Sequence, residues 1–218
     1  MKTEITAQQA SFFSKNGYIE LEGIHFQSEK IFSSTRKALS HRLKTTSEKL
    51  SRTPSNELYR QGRDLWRSDN ELKSFLFQKI FPLVADLEDK RSLRIACDQW
   101  IPHDYAWDKP CSLKDLFSIQ GILAGALICA TESKVPVKAS LGLLPLPSNP
   151  QSVLFFKSHI LLNWPQLLQA TDIYLVAYCL PNAVYIQNPA DPCTNDLKQF
   201  GYGFGDPLRN EFHPLISS

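Results

Sequence analysis

The chain has 218 residues, of which 43% are hydrophobic and 21% are charged, and its formal net charge is +2. This length fits one domain, and the near-neutral charge gives no overall reason to expect nucleic acid or an anionic surface as a partner. The opening residues lack the apolar core of a secretory signal, and the longest apolar stretch, 121–130, is about half as long as a membrane helix. The five cysteines lack CxxC spacing, so we expect free thiols in a cytoplasmic protein that does not enter a membrane.

Residues 1–90 are predicted to be mainly helical, with one short strand. Cap-type residues, glycine stops and the spacing of apolar positions mark the element boundaries. The predicted elements are a helix from Thr6 to Gly17, an amphipathic strand over residues 18–24, a helix capped by Ser28, and a helix over residues 70–87 bent at Pro82. Residues 1–218 are expected to form a single domain, of which this is the helical N-terminal part.

Residues 91–218 are predicted to form the β-rich core of the domain. Short apolar runs alternate there with Pro, Gly, Asn and Asp, a pattern typical of strands joined by turns. The strand candidates are residues 92–101, 121–131, 138–144, 152–162, 172–180 and 183–187. Several strands at such close spacing indicate a sandwich or a barrel.

Three stretches carry a family resemblance. They are FFSKNGYIELEG at 12–23, SVLFFKS at 152–158, and GYGFGDPL at 201–208 with HPL following at 213–215. Together with the strand-like residues 93–99, they resemble the phytanoyl-CoA dioxygenase-like family of iron and 2-oxoglutarate oxygenases, in order over nearly the full chain. The resemblance implies an α+β fold in which a double-stranded β-helix, or jelly roll, has N-terminal helices packed outside it.

The resemblance also implies where the family's functional residues would lie. Such enzymes bind ferrous iron with a His-x-Asp/Glu motif and a distal histidine, and they pair the 2-oxoglutarate carboxylate with an arginine. None of the five histidines here is followed two residues later by an acid. The implied positions are occupied by Leu113 (first histidine), Asp115 (carboxylate), Leu162 or, if the register slips by one, Asn163 (distal histidine), and Asp172 (arginine).

The residues at these positions are chemically unsuited to the family's reaction. Leucine has no lone pair to give to iron, the side-chain oxygen of Asn163 is a feeble neutral donor, and Asp172 would repel 2-oxoglutarate. We therefore expect a degenerate member without standard dioxygenase activity and without a cofactor. Its role would be to bind a small molecule in the barrel or a protein partner of unknown kind.

The residues leave two alternative functions open. An active oxygenase with a rearranged ligand set would use His103, Asp108 and Asp115, and only then would iron and 2-oxoglutarate be cofactors. A nucleic-acid-binding regulator would use the local basic excess that includes Arg36, Lys37, Arg60 and Arg63. No aromatic interleaving or finger motif accompanies that charge, so we interpret it as the solvated face of helices and do not expect nucleic acid as a partner.

Overall fold

The computed structural model describes residues 4–24, 27–107, 109–130, 151–168 and 171–217. The helices are α1 (Ala7–Asn16), α2 (Ser28–Arg42), α3 (Ser47–Leu50), α4 (Ser55–Gln61), α5 (Asn70–Phe75), α6 (Phe81–Leu87), α7 (Leu113–Leu116) and α8 (Trp164–Leu168). The strands are β1 (Tyr18–Leu21), β2 (Ser92–Ile101), β3 (Ile119–Cys129), β4 (Val153–Lys157), β5 (Ile173–Tyr185) and β6 (Leu215–Ser217). Short 3₁₀ turns cover Leu65–Arg67 and Asp196–Phe200.

The six strands form one antiparallel sheet in the order β1-β4-β3-β5-β2-β6. Alternate side chains of each strand point to opposite sides of the sheet. On β5, Tyr174, Val176 and Tyr178 join an apolar cluster with helices α1, α2, α5 and α6. Their neighbours Ile173 and Leu175 join a second cluster with α7, α8 and the connecting loops. We call these two sides of the sheet the helix face and the loop face.

The predicted start of the chain is largely confirmed. The Thr6 hydroxyl accepts a hydrogen bond from the backbone N–H of Gln9, and α1 ends at Gly17, whose φ of 79° is a left-handed conformation that favours glycine. Strand β1 follows with the expected alternation in burial. Ser28 is a correction, because it is the buried first residue of α2 rather than its cap.

The predicted helix over residues 70–87 is continuous but changes its geometry at the proline. Residues Leu76–Ile80 form a π turn between α5 and α6, and Pro82 follows at the start of α6. Proline lacks a backbone N–H and cannot continue the regular helical ladder. The carbonyl of Leu76 instead accepts hydrogen bonds from the N–H of Phe81 and from the hydroxyl of Tyr178, at 2.9 Å for the latter.

The observed helices and antiparallel sheet confirm the α+β class. Strand β2 has the predicted bounds, whereas the candidates 172–180 and 183–187 are one strand, β5. Pro181 lies within β5 where its ladder with β3 shifts register, so the missing N–H leaves no regular bond unmade. The candidate strand over 138–144 lies outside the described residues. That the whole chain is one domain stays a prediction.

Among the described residues, no helix combines the length and the apolar character needed to cross a membrane.

Candidate functional site

The position implied for the first iron histidine lies in the apolar cluster of the loop face. Leu113 begins α7, and its side chain is fully buried. A Cβ atom added to Gly125 of β3 would lie 2.7 Å from Leu113 Cδ1 and 2.9 Å from Phe156 Cζ, both shorter than real Cβ contacts. Leu113 and Phe156 therefore close over the backbone of Gly125 without space for one further carbon atom.

The position implied for the distal histidine is also packed by apolar groups. Leu162 is fully buried and exchanges two backbone hydrogen bonds with Cys111, at 3.2 and 3.1 Å. Trp164 is equally buried, and its indole N–H donates to the carbonyl of Cys111 at 3.1 Å. Asn163 lies directly before α8, where its carbonyl accepts from the N–H of Leu167. The two leucines are thus brought into one hydrophobic cluster. Within that cluster, we call Leu113, Phe156, Leu162 and Trp164 the apolar centre.

Asp115, the one carboxylate that matches the family's triad, serves as a helix cap. It is exposed on the first turn of α7, and its Oδ2 accepts from the backbone N–H of Ser112 at 2.9 Å and from the Ser112 hydroxyl at 2.8 Å. Such a capping box satisfies donors that would otherwise be free at a helix start.

Asp172, at the position implied for the arginine, is bonded to His103. Its Oδ1 accepts from the backbone N–H of His103 and lies 2.9 Å from His103 Nδ1, with 20% of the Asp172 side chain and 67% of the His103 side chain exposed. This pair joins the loop after β2 to the start of β5. The structure therefore brings together two predicted site residues, but as a surface contact.

The side chains at the implied positions do not fit an iron ion. The two leucines offer no donor atom, and the two aspartates bind Ser112 and His103. Within the described residues, no group of three His, Cys, Asp or Glu side chains could hold a metal ion. The rearranged set stays a prediction, because Asp108 lies outside the described residues; His103 and Asp115 themselves take part in separate contacts.

The basic residues do not form the single solvated face that the sequence suggested. Arg36 and Lys37 are exposed on α2, and Arg60 is exposed on α4. Arg63 differs, because only 11% of its side chain is exposed and its guanidinium is held by partners from β2 and from the loop after β5. For Arg63 the sequence interpretation was wrong.

The segment that carries Arg63 lies along the edge of β2. The N–H of Asp64 donates to the carbonyl of Asp98 at 3.0 Å, and the N–H of Trp100 donates to the carbonyl of Gly62 at 2.8 Å. Arg63 is the residue opposite Gln99 in this short antiparallel bridge, so the two side chains share the loop face. A register shift in β2 between Ile95 and Cys97 marks a bulge beside them.

Arg63 and Asp191 form a buried ion pair on the loop face. Arg63 Nη1 lies 2.9 Å from Asp191 Oδ2, and Arg63 Nε donates to Gln99 Oε1 at 2.9 Å. Asp191 is fully buried and also accepts from the N–H and the hydroxyl of Ser118 and from the N–H of Cys193. Burial alone would lower the pKa of Arg63, but the Asp191 carboxylate, together with the nearby Cys193, Tyr59 and Cys97, outweighs it, and the pKa lies well above its ordinary value.

A cavity of about 560 Å³ lies beside this ion pair. We call it the arginine cavity, because Arg42, Arg60, Arg63 and Arg67 line it. Its lining also includes three acids, Asp64, Asp191 and Asp196, and the aromatic residues Tyr185 and Phe200. The backbone of the bulge in β2 contributes at Ala96 and Cys97.

Arg67 and Arg42 are fixed by different kinds of partner. Arg67 Nε lies 3.1 Å from Asp64 Oδ2, and its guanidinium carbon lies 4.8 Å from the ring centroid of Trp66. Arg42 instead donates to the backbone carbonyls of Gln61, Arg63 and Asp64. Carbonyl oxygens carry no net charge, so the positive charge of Arg42 is solvated by the backbone but not neutralised by it.

Comparisons with known proteins give the fold a context. No protein-family model matches the chain, and no curated protein matches it significantly in sequence. Among solved structures, SnoK, a non-heme α-ketoglutarate-dependent carbocyclase from nogalamycin biosynthesis, has 13% identity and a TM-score of 0.67, with 100% of both chains covered. The epimerase SnoN, in complex with Fe³⁺, α-ketoglutarate and nogalamycin RO, has 14% identity and a TM-score of 0.63, with 95% of this chain and 97% of that chain covered.

A third structure, CytC3 with Fe(II) and α-ketoglutarate, has 15% identity and a TM-score of 0.56, covering 96% of this chain and 88% of that chain. The fold resembles that of iron and 2-oxoglutarate-dependent oxygenases. At these identities the likeness concerns the fold alone. α-Ketoglutarate and 2-oxoglutarate are the same compound, so the descriptions of these three proteins name the co-substrate that the family resemblance implies.

Sequence reasoning missed the acid that completes the arginine cavity. Asp191 lies in a loop between proline residues, and 128 positions separate it from Arg63. No local periodicity can pair residues so far apart. The available signal was the basic excess itself, because a run of arginines with few acids nearby in sequence must find its counter-charges elsewhere when it is buried.

Proposed function

We propose that this protein is a double-stranded β-helix, of the phytanoyl-CoA dioxygenase-like kind, in which apolar packing has replaced the iron centre. Its role is to bind a small molecule or a protein partner in the cytoplasm, without standard dioxygenase chemistry. The likeness to the folds of SnoK, SnoN and CytC3 supports the first part. One observation carries the second: Leu113 and Phe156 meet over Gly125 with no space for an added carbon atom.

The apolar centre has the properties of a structural core. Leu113, Phe156, Leu162 and Trp164 are all fully buried there. Each large apolar side chain removed from water stabilises the fold by about 1.5–3 kcal/mol. The same residues would have to be displaced to admit an ion, and no ligand atom would replace the contacts that were broken.

A metal titration tests the proposal directly. Purified full-length protein is titrated anaerobically with ferrous iron in a calorimeter, and 2-oxoglutarate consumption is then measured in air with and without the metal. We expect no stoichiometric iron binding and no metal-dependent loss of 2-oxoglutarate. Tight ferrous binding that disappears in His103→Ala or Asp115→Ala would establish the rearranged ligand set instead.

The matched control for those two variants is Asp104→Ala, which changes an exposed acid next to His103. Loss of iron binding in all three variants would point to a general surface effect and not to a ligand set. In either case the iron variants test the ligand set that His103 and Asp115 would form, and neither residue lines the arginine cavity.

A further inference from the structure

We infer that the arginine cavity binds a small molecule through a carboxylate or phosphate group. The inference rests on the proposed function and deepens it, because it names the binding site and the chemical class of the ligand. Three observations carry it: the charges of the lining, the unused donors of two arginines, and the size of the cavity.

The lining has an excess of positive charge. Four arginines face three aspartates, so one positive charge remains over. Two of the arginines have a carboxylate partner, in the pairs Arg63–Asp191 and Arg67–Asp64. Arg42 donates only to carbonyl oxygens, and Arg60 is exposed on α4. Asp196 is the remaining acid, and its single charge does not balance these two cations.

Three buried donor atoms of the cavity residues form no hydrogen bond within the described part of the chain. They are Nη2 of Arg63 and both Nε and Nη2 of Arg67, of which Nε lies 3.1 Å from Asp64 Oδ2 as an ion pair. The other oxygen of Asp64, Oδ1, is a buried acceptor that likewise forms no hydrogen bond there. Buried polar atoms are bonded in the great majority of cases, and an unbonded one calls for an explanation. An oxyanion in the cavity supplies the explanation, since one group with several oxygens can accept from both guanidinium groups. Each Nη2 atom has almost no exposed surface, so both side chains must shift towards the ligand when it binds.

The side chains that line the cavity and its volume define the class of ligand that it can bind. Planar guanidinium groups bind carboxylate and phosphate oxygens through parallel hydrogen bonds, which suits both groups. A volume of about 560 Å³ is typical of small-molecule sites and is closed to a nucleic-acid duplex. The aromatic side chains of Tyr185 and Phe200 give the ligand an apolar surface beside the charged one.

A larger cavity elsewhere does not support a comparable proposal of a ligand-binding site. It has a volume of about 780 Å³ and lies between α2 and α5. Its lining includes Ile24, Gln27 and Gln151, which border residues that the structure does not describe. The arginine cavity is lined by described residues throughout.

Calorimetric titration with two separate probes, succinate and inorganic phosphate, tests the inference. The titrations use the full-length protein at low ionic strength, in buffer freed of metal by an immobilised chelator that is removed before the titration, so that iron binding cannot contribute. We expect saturable binding of at least one probe, weakened by added salt. Binding of succinate alone assigns a carboxylate, binding of phosphate alone assigns a phosphate, and binding of both assigns the shared oxyanion chemistry.

Three variants locate the binding. Arg60→Gln removes an exposed charge from the cavity and should weaken binding about tenfold, as expected for one charge-assisted contact. Arg36→Gln removes an equally exposed charge from α2 outside the lining and should leave the affinity unchanged. Asp196→Asn removes a repelling charge and should tighten binding.

Two results would overturn the inference. One is the absence of saturable binding of either probe, which would leave ordered water as the acceptor for the two arginines. The other is an equal loss of affinity in Arg36→Gln and Arg60→Gln, which would show a diffuse surface effect. Neither result affects the proposed loss of the iron centre, because metal is removed before both titrations.

Discussion

The apolar centre and the arginine cavity lie on the same loop face, but the first consists of apolar side chains and the second is lined by charged ones. Of the positions implied for iron chemistry, Leu113 and Leu162 are buried apolar side chains, and Asp115 and Asp172 are bound to structural partners. Around Arg63, charged groups are buried in spite of the cost of removing them from water. Replacing a buried ion pair by apolar residues is often neutral or stabilising, so stability alone does not explain why the cavity keeps its charges. The contrast supports the proposal that the cavity, and not the apolar centre, binds the ligand.

The largest expected effect comes from breaking the Arg63–Asp191 pair. Arg63→Met leaves the fully buried Asp191 carboxylate without a cation, which should cost about 3–5 kcal/mol of the free energy of unfolding. Urea denaturation measures the loss. Adding Asp191→Asn should restore part of it, because the uncompensated charge is then removed. Arg60→Met, at an exposed position, is the control, and equal losses in the two single variants would contradict the assigned ion pair.

A second buried carboxyl group, that of Asp98, shows the rise in pKa that burial causes where no ion pair opposes it. Asp98 lies on the helix face of β2, fully buried, and accepts hydrogen bonds from the Tyr174 hydroxyl and the N–H of Trp66. Burial and the nearby Asp64 charge raise the pKa of Asp98 from 3.8 to about 7. For His213, burial lowers the pKa from 6.5 to about 4. The folded state thus favours a neutral acid and a neutral imidazole.

The two groups give stability opposite dependences on pH. The contribution of Asp98 is fully present below pH 3.8 and is lost as the pH rises towards about 7. The contribution of His213 is present above pH 6.5 and is lost as the pH falls towards about 4. Each group changes the free energy of unfolding by at most about 1.4 kcal/mol per pH unit. The two changes have opposite signs and nearly cancel between about pH 4 and pH 6.5.

Variants should separate the two slopes in urea denaturation series at several pH values. The wild-type protein should show nearly constant stability from pH 4 to 6.5. Asp98→Asn should become more stable as the pH rises, by on the order of 3 kcal/mol across that window. His213→Gln should become less stable as the pH rises, by a similar amount. Parallel profiles for the two variants would refute the assignment.

The packing of the apolar centre can be tested at Gly125. Gly125→Ala forces a methyl group against Leu113 and Phe156 and should destabilise the fold by about 1–3 kcal/mol. Leu113→Ala removes buried contacts and should cost about 2–5 kcal/mol. In the double variant the new methyl group occupies part of the vacated space, so the combined loss should be smaller than the sum. Additive losses would show that the two side chains are not in contact.

The sequence predicted the features that depend on local patterns. The bounds of β2, the stop of α1 at Gly17 and the alternation of β1 follow from neighbouring residues, and the structure has each of them. The motifs also led to the correct broad fold class. The partners of Asp172 and Asp191 could not be predicted, because they lie 69 and 128 positions away in the chain. Such pairings form only when the tertiary structure brings distant segments together.

The smallest expected effect concerns Asp172, where the family resemblance implies an arginine. Asp172→Arg restores that side chain type but removes a partly exposed contact with His103, so the loss of stability should stay below about 1 kcal/mol. If the apolar centre has replaced the iron site, the new arginine should not produce 2-oxoglutarate binding, with or without ferrous iron, in a calorimetric titration. Asp172→Asn separates the loss of the negative charge from the gain of the guanidinium. Iron-dependent binding of 2-oxoglutarate to Asp172→Arg would mean that a single substitution separates this chain from the co-substrate of the family that it resembles. The contrast between a closed centre and an open cavity would then have to be abandoned.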